Sequence, residues 1–324
     1  MRAMVVEDWC DPKDMRLVDL PDPQPGPGEV TIDVRAVGCN FFDILIAQGK
    51  YQVRPPRPFS PGGEVAGMIR AVGPDVEGLR VGDRVFAMLG YGGYATVARA
   101  PAASVVRMPA TMSFEHGAAF GVVYQTSYFA LVYRAALRPG ETLLVHAAAG
   151  GVGLAAVQIG KALGARVLAT AGSPDKLAIA KQNGAELAFD YSTPDWVEHV
   201  KEATGGRGAD VIYDPVGGEI FDLSTKCIAF AGRLLVIGFA SGVIPTIQVN
   251  RVLLKNIAII GLHWGAYRQH DPEKIPQAME ALFAMYDRGA VKPVVASTYP
   301  LAAAAAALDE IASRKSVGKV VLIP

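Results

Sequence analysis

The sequence predicts an α/β protein in two parts, a doubly wound parallel sheet and a compact β-barrel-like domain, on three observations. Before about residue 110, short β-like runs are punctuated by Pro and Gly, as in a small all-β unit. After it, apolar runs alternate with helical patterns, the mark of parallel strands joined by crossover helices. Between the first of those strands and its helix stands a glycine-rich turn, His146-Ala147-Ala148-Ala149-Gly150-Gly151-Val152-Gly153.

The elements follow in order. Residues 1–8 begin as a strand and lack an apolar signal core. Residues 29–35 and 82–87 read as strands of the first part. Strands of the parallel sheet are expected over residues 142–146, 166–170, 187–190, 210–214 and 233–238, with helices between them. Residues 241–249, rich in β-branched side chains, are expected to form an exposed sheet edge that pairs with a second copy of the chain, the alternative being that Pro245, which cannot donate to the ladder, keeps the edge solvated and the chain monomeric. From about Gly261 the rhythm breaks. Ile275, Met279, Leu282, Phe283 and Tyr286 form one stripe of a helix over residues 275–286. A strand over 294–299, a helix over 301–314 and a closing strand over 319–323 complete the chain. Alanines fill residues 302–307, but alanine is the best helix former, and Leu301, Leu308 and Ile311 supply a face to bury.

The glycine turn reads as a dinucleotide fingerprint with its first position relaxed to Ala148, followed by Gly150 and Gly153. The three small residues would serve a tight turn, close approach of backbone amides to a pyrophosphate, and close packing of helix on strand. The helix that follows supplies free N–H groups and a positive dipole end. A site for NADH usually carries Asp or Glu at the end of the second strand, to bind the ribose 2′-hydroxyl. Here that place reads Ala171-Gly172-Ser173, with Lys176 next, so a 2′-phosphate is tolerated and NADPH is the expected cofactor. Asp175 competes, but an acidic residue in a first helical turn is ordinarily there for the dipole.

Composition bounds the classes left. The chain has 324 residues, enough for two domains, and 31 basic against 31 acidic side chains, so no electrostatic field for nucleic acid or an anionic membrane is implied. Cys10, Cys39 and Cys227 are widely spaced and form no metal-ligand pattern, which argues for a reducing, cytoplasmic setting. No uncharged apolar run is long enough to span a bilayer.

Over essentially the whole chain these residues resemble a known family. Residues 147–153, Val81-Gly82-Asp83-Arg84-Val85, Pro61-Gly62-Gly63-Glu64-Val65-Ala66-Gly67 and Asn40-Phe41-Phe42-Asp43 are similar to the zinc-free quinone oxidoreductases, a ζ-crystallin-like branch of the medium-chain dehydrogenase/reductase superfamily. The resemblance implies a GroES-like β-barrel catalytic domain from residues 1–121 and 262–324, and a Rossmann NADP-binding domain over residues 122–261. It implies a homodimer. Zinc-dependent relatives carry Cys where this chain has Asn40, and Gly-His-Glu where it has Gly62-Gly63-Glu64, and Glu64 alone cannot assemble a catalytic zinc site. Cys39, one residue early, reads as a small buried apolar side chain.

Without a metal the cofactor carries the chemistry, and hydrogen-bond donors stabilise charge that develops on the acceptor oxygen. By resemblance Asn40, Tyr51 and Tyr128 face the nicotinamide and acceptor, and Thr126 touches the cofactor. The remaining cofactor contacts are expected from Ala149, Gly150, Gly151, Val152, Gly153, Gly172, Ser173, Lys176, Tyr191, Gly238 and Phe239. Arg314 matches an arginine that reaches the adenosine 2′-phosphate. Trp264 is expected to line the acceptor pocket, His263 lies beside it, and His146 reads as a structural hydrogen-bonder. The leading activity is transfer of hydride or electrons from NADPH to a quinone. The alternatives are reduction of an activated carbon–carbon double bond in an enoyl or alkenal substrate, and a non-catalytic NADPH-binding role of the crystallin kind.

Overall fold

The computed structural model describes residues 1–193 and 195–324. They fall into two compact units, Met1–Val122 with Pro293–Pro324, and Val123–Lys292. The chain therefore leaves the second unit at Pro293 and not at the expected residue 262. Residues 262–292, including the helix Lys274–Asp287, go with the second unit, because Ala278, Met279, Leu282 and Met285 bury one face of that helix and the loop after it is tied back, Lys292 N donating to Gln158 Oε1 at 2.9 Å.

In the second unit the strands run Leu187–Asp190, Arg166–Ala171, Thr142–Val145, Ala209–Asp214, Ile228–Val236 and Ala258–Gly261 in spatial order, each parallel to its neighbour. Thr142–Val145 is buried at every position, which is why it reads as an unbroken apolar run. The chain order reverses on either side of it, so the carboxyl end of this strand opens on the switch point where ligands bind such sheets. Gly160 lets the helix Gly151–Ala162 settle on the strand, since a β-carbon there would lie 2.5 Å from Leu143 Cδ2.

The sheet edge differs from expectation. Residues 243–248 form no strand, because Pro245 withholds a donor and Ile247 turns inward to pack with the core around Leu234 and Ile257. The edge strand is Ala258–Gly261, and before it lies the helix Val249–Lys255, none of whose residues is buried.

In the first unit the strand Glu29–Gly38 is the organiser. It pairs antiparallel with Glu64–Val72, and its register slips between Thr31 and Ile32 and again between Val34 and Ala36. Such slips bend a strand. On its other edge the first half takes Val97–Pro101 and the last two residues take the closing strand Lys319–Ile323. Lys319–Ile323 in turn pairs in parallel with Val295–Pro300, while Arg84–Met88 and Val105–Arg107 extend the far side. The end of the chain is thus placed against Cys39 and Asn40, whose helix Phe41–Ala47 follows at once.

Candidate active site

The carboxyl rim of the parallel sheet gathers most of the expected cofactor contacts. Ala147 takes a left-handed φ of +47°, so the tight turn falls on it and not on Ala148 as expected. The fold holds an alanine there by backbone bonds on both sides, Ala148 N to Thr170 O at 3.0 Å and Gly150 N to Ala147 O at 2.9 Å. Gly153 must be glycine, because a β-carbon would stand 2.3 Å from Ala147 O. Gly150 caps the helix Gly151–Ala162 without a side chain, and the amides of Gly151 and Val152 open its first turn, as an anion requires.

Next to this turn, Gly172 and Ser173 follow the strand Arg166–Ala171, and Tyr191 follows Leu187–Asp190. A β-carbon on Gly172 would meet the Tyr191 ring at 3.3 Å, so these two residues are brought together. Ser173 stands at the N-cap of the helix Pro174–Gln182 and its side chain makes no capping bond. Lys176, in the same helix, is half-buried, and burial lowers its pKa. No carboxylate stands between the strand end and the helix, since the first acidic residue is the exposed Asp175. Gly238 and Phe239 follow Ile228–Val236 at the same rim, and Phe239 is close enough to Gly217 that a β-carbon there would be 3.0 Å from its ring. Arg314 belongs to the first unit, where it is exposed and adopts φ +58°.

Thr126 and Tyr128 lie on the helix Gly121–Tyr128, which Ser127 fastens to the glycine turn by donating to Val152 O at 3.0 Å. Immediately after Tyr128 the helix widens to a π turn, Phe129–Arg134, a distortion frequent at functional sites. The Tyr128 ring meets Tyr133 edge-on at 5.7 Å, and burial raises the pKa of its phenol. Tyr51 of the first unit stacks on Phe42 at 5.6 Å, and burial raises its pKa too. Both hydroxyls therefore stay protonated at neutral pH and are donors. Trp264 Nε1 donates to Gln125 Oε1 at 3.1 Å within the second unit, and His263, exposed, precedes it. His146 is interior: Nδ1 lies 2.7 Å from Thr170 Oγ1 and Nε2 2.8 Å from Ser224 Oγ. Ser224 spends its proton on Ile220 O at 2.6 Å, so Nε2–H is the donor and Nδ1 accepts from Thr170. Burial pushes its pKa down to about 3, and it is a structural hydrogen-bonder.

Asn40 sits in a buried polar cluster of the first unit. Its Nδ2 donates to Glu64 Oε1 at 3.0 Å and to Gly38 O at 3.2 Å, and its Oδ1 accepts from Lys319 Nζ at 2.7 Å. Lys319 also reaches Glu64 Oε1 at 2.7 Å and Cys39 O at 2.8 Å, and Glu64 Oε2 accepts from Val122 N at 2.9 Å. Asn40 N donates to Asp43 Oδ2 at 2.8 Å, and Tyr94 OH to the same oxygen at 3.1 Å. Burial raises the Asp43 pKa to about 7 and that of the enclosed Cys39 thiol to about 12. Sequence reasoning passed over Lys319, Asp43 and Tyr94. The signal for Lys319 was a lysine heading an otherwise apolar closing strand. Among the described residues no three His, Cys, Asp or Glu side chains group to hold a metal, and no helix is long and apolar enough to cross a membrane.

A parallel sheet with a glycine turn at its switch point, together with a mostly antiparallel unit built from residues 1–122 and 293–324, defines a medium-chain nucleotide-dependent dehydrogenase or reductase. Residues 26–110 match the GroES-like domain of alcohol dehydrogenases, and residues 151–284 the zinc-binding dehydrogenase family. A quinone oxidoreductase-like protein 2 homolog of Nematostella vectensis is 40% identical over 92% of this chain and 82% of its own. The quinone oxidoreductase of Rattus norvegicus is 36% identical over 100% of this chain and 98% of its own. The crystal structure of Escherichia coli quinone oxidoreductase complexed with NADPH superposes with a TM-score of 0.92 at 31% identity, covering 100% of both chains. The chain belongs to the quinone oxidoreductase family of the medium-chain dehydrogenase/reductase superfamily.

Proposed function

We propose that this chain is an NADPH-dependent quinone reductase that works without a metal. The observation that carries the reading is the carboxyl rim of the parallel sheet, where Gly150 to Gly153 leave helix amides uncovered and Gly172-Ser173 replaces the carboxylate that would repel a 2′-phosphate. The donor set fits a dinucleotide: small residues along the strand ends, an uncommitted Ser173 side chain at the N-cap, and Lys176 one turn on. Thr126, Ala149, Gly151, Val152, Tyr191, Gly238, Phe239 and Arg314 complete the proposed cofactor contacts.

When bound, NADPH supplies the reducing equivalents to the quinone. The protein holds hydrogen-bond donors for the acceptor oxygen, and Tyr51, Tyr128 and Asn40 are the proposed ones, with Trp264 as acceptor-lining surface. Both tyrosines remain neutral donors through the physiological range because burial holds their pKa values up. Metal independence is supported by the cluster around Asn40, where Lys319 Nζ takes the oxygens of Cys39, Asn40 and Glu64 for itself.

We place the enzyme in the cytoplasm as a homodimer. All three cysteines are free thiols, as a reducing compartment requires. Val249, Leu253, Leu254 and Phe230 are 78%, 73%, 72% and 74% exposed beside the sheet edge, an apolar surface that a second copy of the chain would bury. NADPH oxidation followed with a panel of acceptors tests the activity: fast turnover with quinones supports it, and turnover confined to enoyl or alkenal compounds supports the alternative.

A further inference from the structure

Lys319 is 5% exposed and Glu64 1%, so their ion pair lies out of water, where a charge is retained only if its partners are excellent. Lys319 has three, and two of them, Asn40 Oδ1 and Cys39 O, belong to the turn that delivers Asn40 to its helix. The backbone of Asn40 is held by Asp43, and its side chain is held by Lys319 on the oxygen and Glu64 on the nitrogen. The amide cannot flip without setting its NH₂ against an ammonium and its oxygen against a carboxylate. Of the two amide hydrogens, one is bound to the Glu64 carboxylate at 3.0 Å and the other rests on Gly38 O at 3.2 Å. The first is charge-assisted and the second is not, so the bond to Gly38 O is the one an acceptor oxygen would displace.

The geometry points to Lys319 as a positioning residue that fixes the Asn40 amide in its donating orientation and, by charging the amide oxygen's surroundings, strengthens its N–H toward the acceptor. This inference rests on the reading of Asn40 as a donor to the acceptor. Lys319 occupies the centre of this oxygen set, so the strand Lys319–Ile323 supplies a buried positive charge to Asn40 from inside the chain. Hydrogen bonds chained through a buried network polarise one another, which transmits that charge along Lys319, Asn40 and the acceptor.

The test uses the full-length enzyme with a saturating quinone acceptor and NADPH varied, and the variants Asn40→Ala, Lys319→Met, Asn40→Ala/Lys319→Met and Glu64→Gln/Lys319→Met. Lys319→Met is expected to lower kcat about tenfold, as loss of a charge-assisted bond does, with the KM for NADPH unchanged. In the Asn40→Ala background it is expected to add no further loss. Glu64→Gln/Lys319→Met removes both charges, so it is expected to recover the thermal stability that Lys319→Met loses while kcat stays low. Recovery of kcat together with stability would show a merely structural ion pair and overturn the inference. So would an unchanged kcat in Lys319→Met when Asn40→Ala is impaired. If Asn40→Ala is itself unimpaired, the reading of Asn40 as donor fails and the inference falls with it.

Discussion

Phe42 lies against Gly63 so closely that a β-carbon on Gly63 would stand 2.4 Å from the ring Cζ and 2.7 Å from Cε2. The position at which zinc-dependent relatives are expected to carry histidine is thus filled from the side by an aromatic ring, and the Phe42 ring is backed by Tyr51. Gly63→Ala should cost about 1–3 kcal/mol through overpacking, and Gly63→His more. Thermal unfolding and elemental analysis check this. A Gly63→His protein that keeps its melting temperature and gains stoichiometric zinc would contradict it.

Lys176→Ala and Arg314→Ala should each raise the KM for NADPH by roughly tenfold, since a charge-assisted contact contributes about 1.5–3 kcal/mol. The KM for NADH should barely move, because the contacts assigned to these cations are with the 2′-phosphate. Equal losses with both cofactors would remove Lys176 and Arg314 from phosphate recognition.

The neutral, doubly bonded His146 makes the second unit acid-sensitive. Its pKa is pushed down to about 3 by burial, from an ordinary value of 6.5, so between those limits the unfolded chain binds more protons than the folded one. Its contribution to stability is complete above pH 6.5 and is lost as pH falls toward 3. Chemical denaturation at a series of pH values should show this limb, and His146→Gln should flatten it while costing about 1–3 kcal/mol at pH 8 for the Thr170 and Ser224 hydroxyls left poorly paired. An acid limb of unchanged slope in the variant would assign the sensitivity elsewhere.

The proposed homodimer is tested on the exposed helix Val249–Lys255. A charge at Leu254, 72% exposed, should shift the mass seen by light scattering toward the 34.2 kDa of one chain without weakening NADPH binding. A wild-type protein already at that mass would contradict the dimer. Ile247 is a poor probe, because it packs into the core and its substitution would report on folding.

The alternation of apolar runs with helical patterns made the parallel sheet legible, and all five strands expected there from residue 142 onward are present, with Arg233 to Val236 as the second half of a longer strand, Ile228–Val236. The glycine turn was legible because its residues are dictated by backbone approach, as the 2.3 Å that would separate a β-carbon on Gly153 from Ala147 O shows. The edge was not. Val243, Ile244 and Ile247 have strand propensity, but propensity does not say whether a neighbouring strand offers its ladder, and Ala258–Gly261 had already taken it. Residues 262–292 were misplaced for a related reason, since the periodicity of the helix Lys274–Asp287 identifies its apolar face but not which core that face meets. Lys319 stayed invisible as a site residue because its partners Asn40 and Glu64 are more than 250 positions away in sequence, and only the pairing of Lys319–Ile323 with Glu29–Gly38 brings them together.

Metal-free reduction of a quinone by NADPH is decided by the rate of NADPH oxidation with a simple quinone, on enzyme dialysed against a strong chelator and shown to be free of zinc. Undiminished turnover with the quinone is expected, with much slower turnover with NADH and little with unsaturated carbonyl compounds. Activity that disappears with the metal, or that appears only with an activated carbon–carbon double bond, would contradict it.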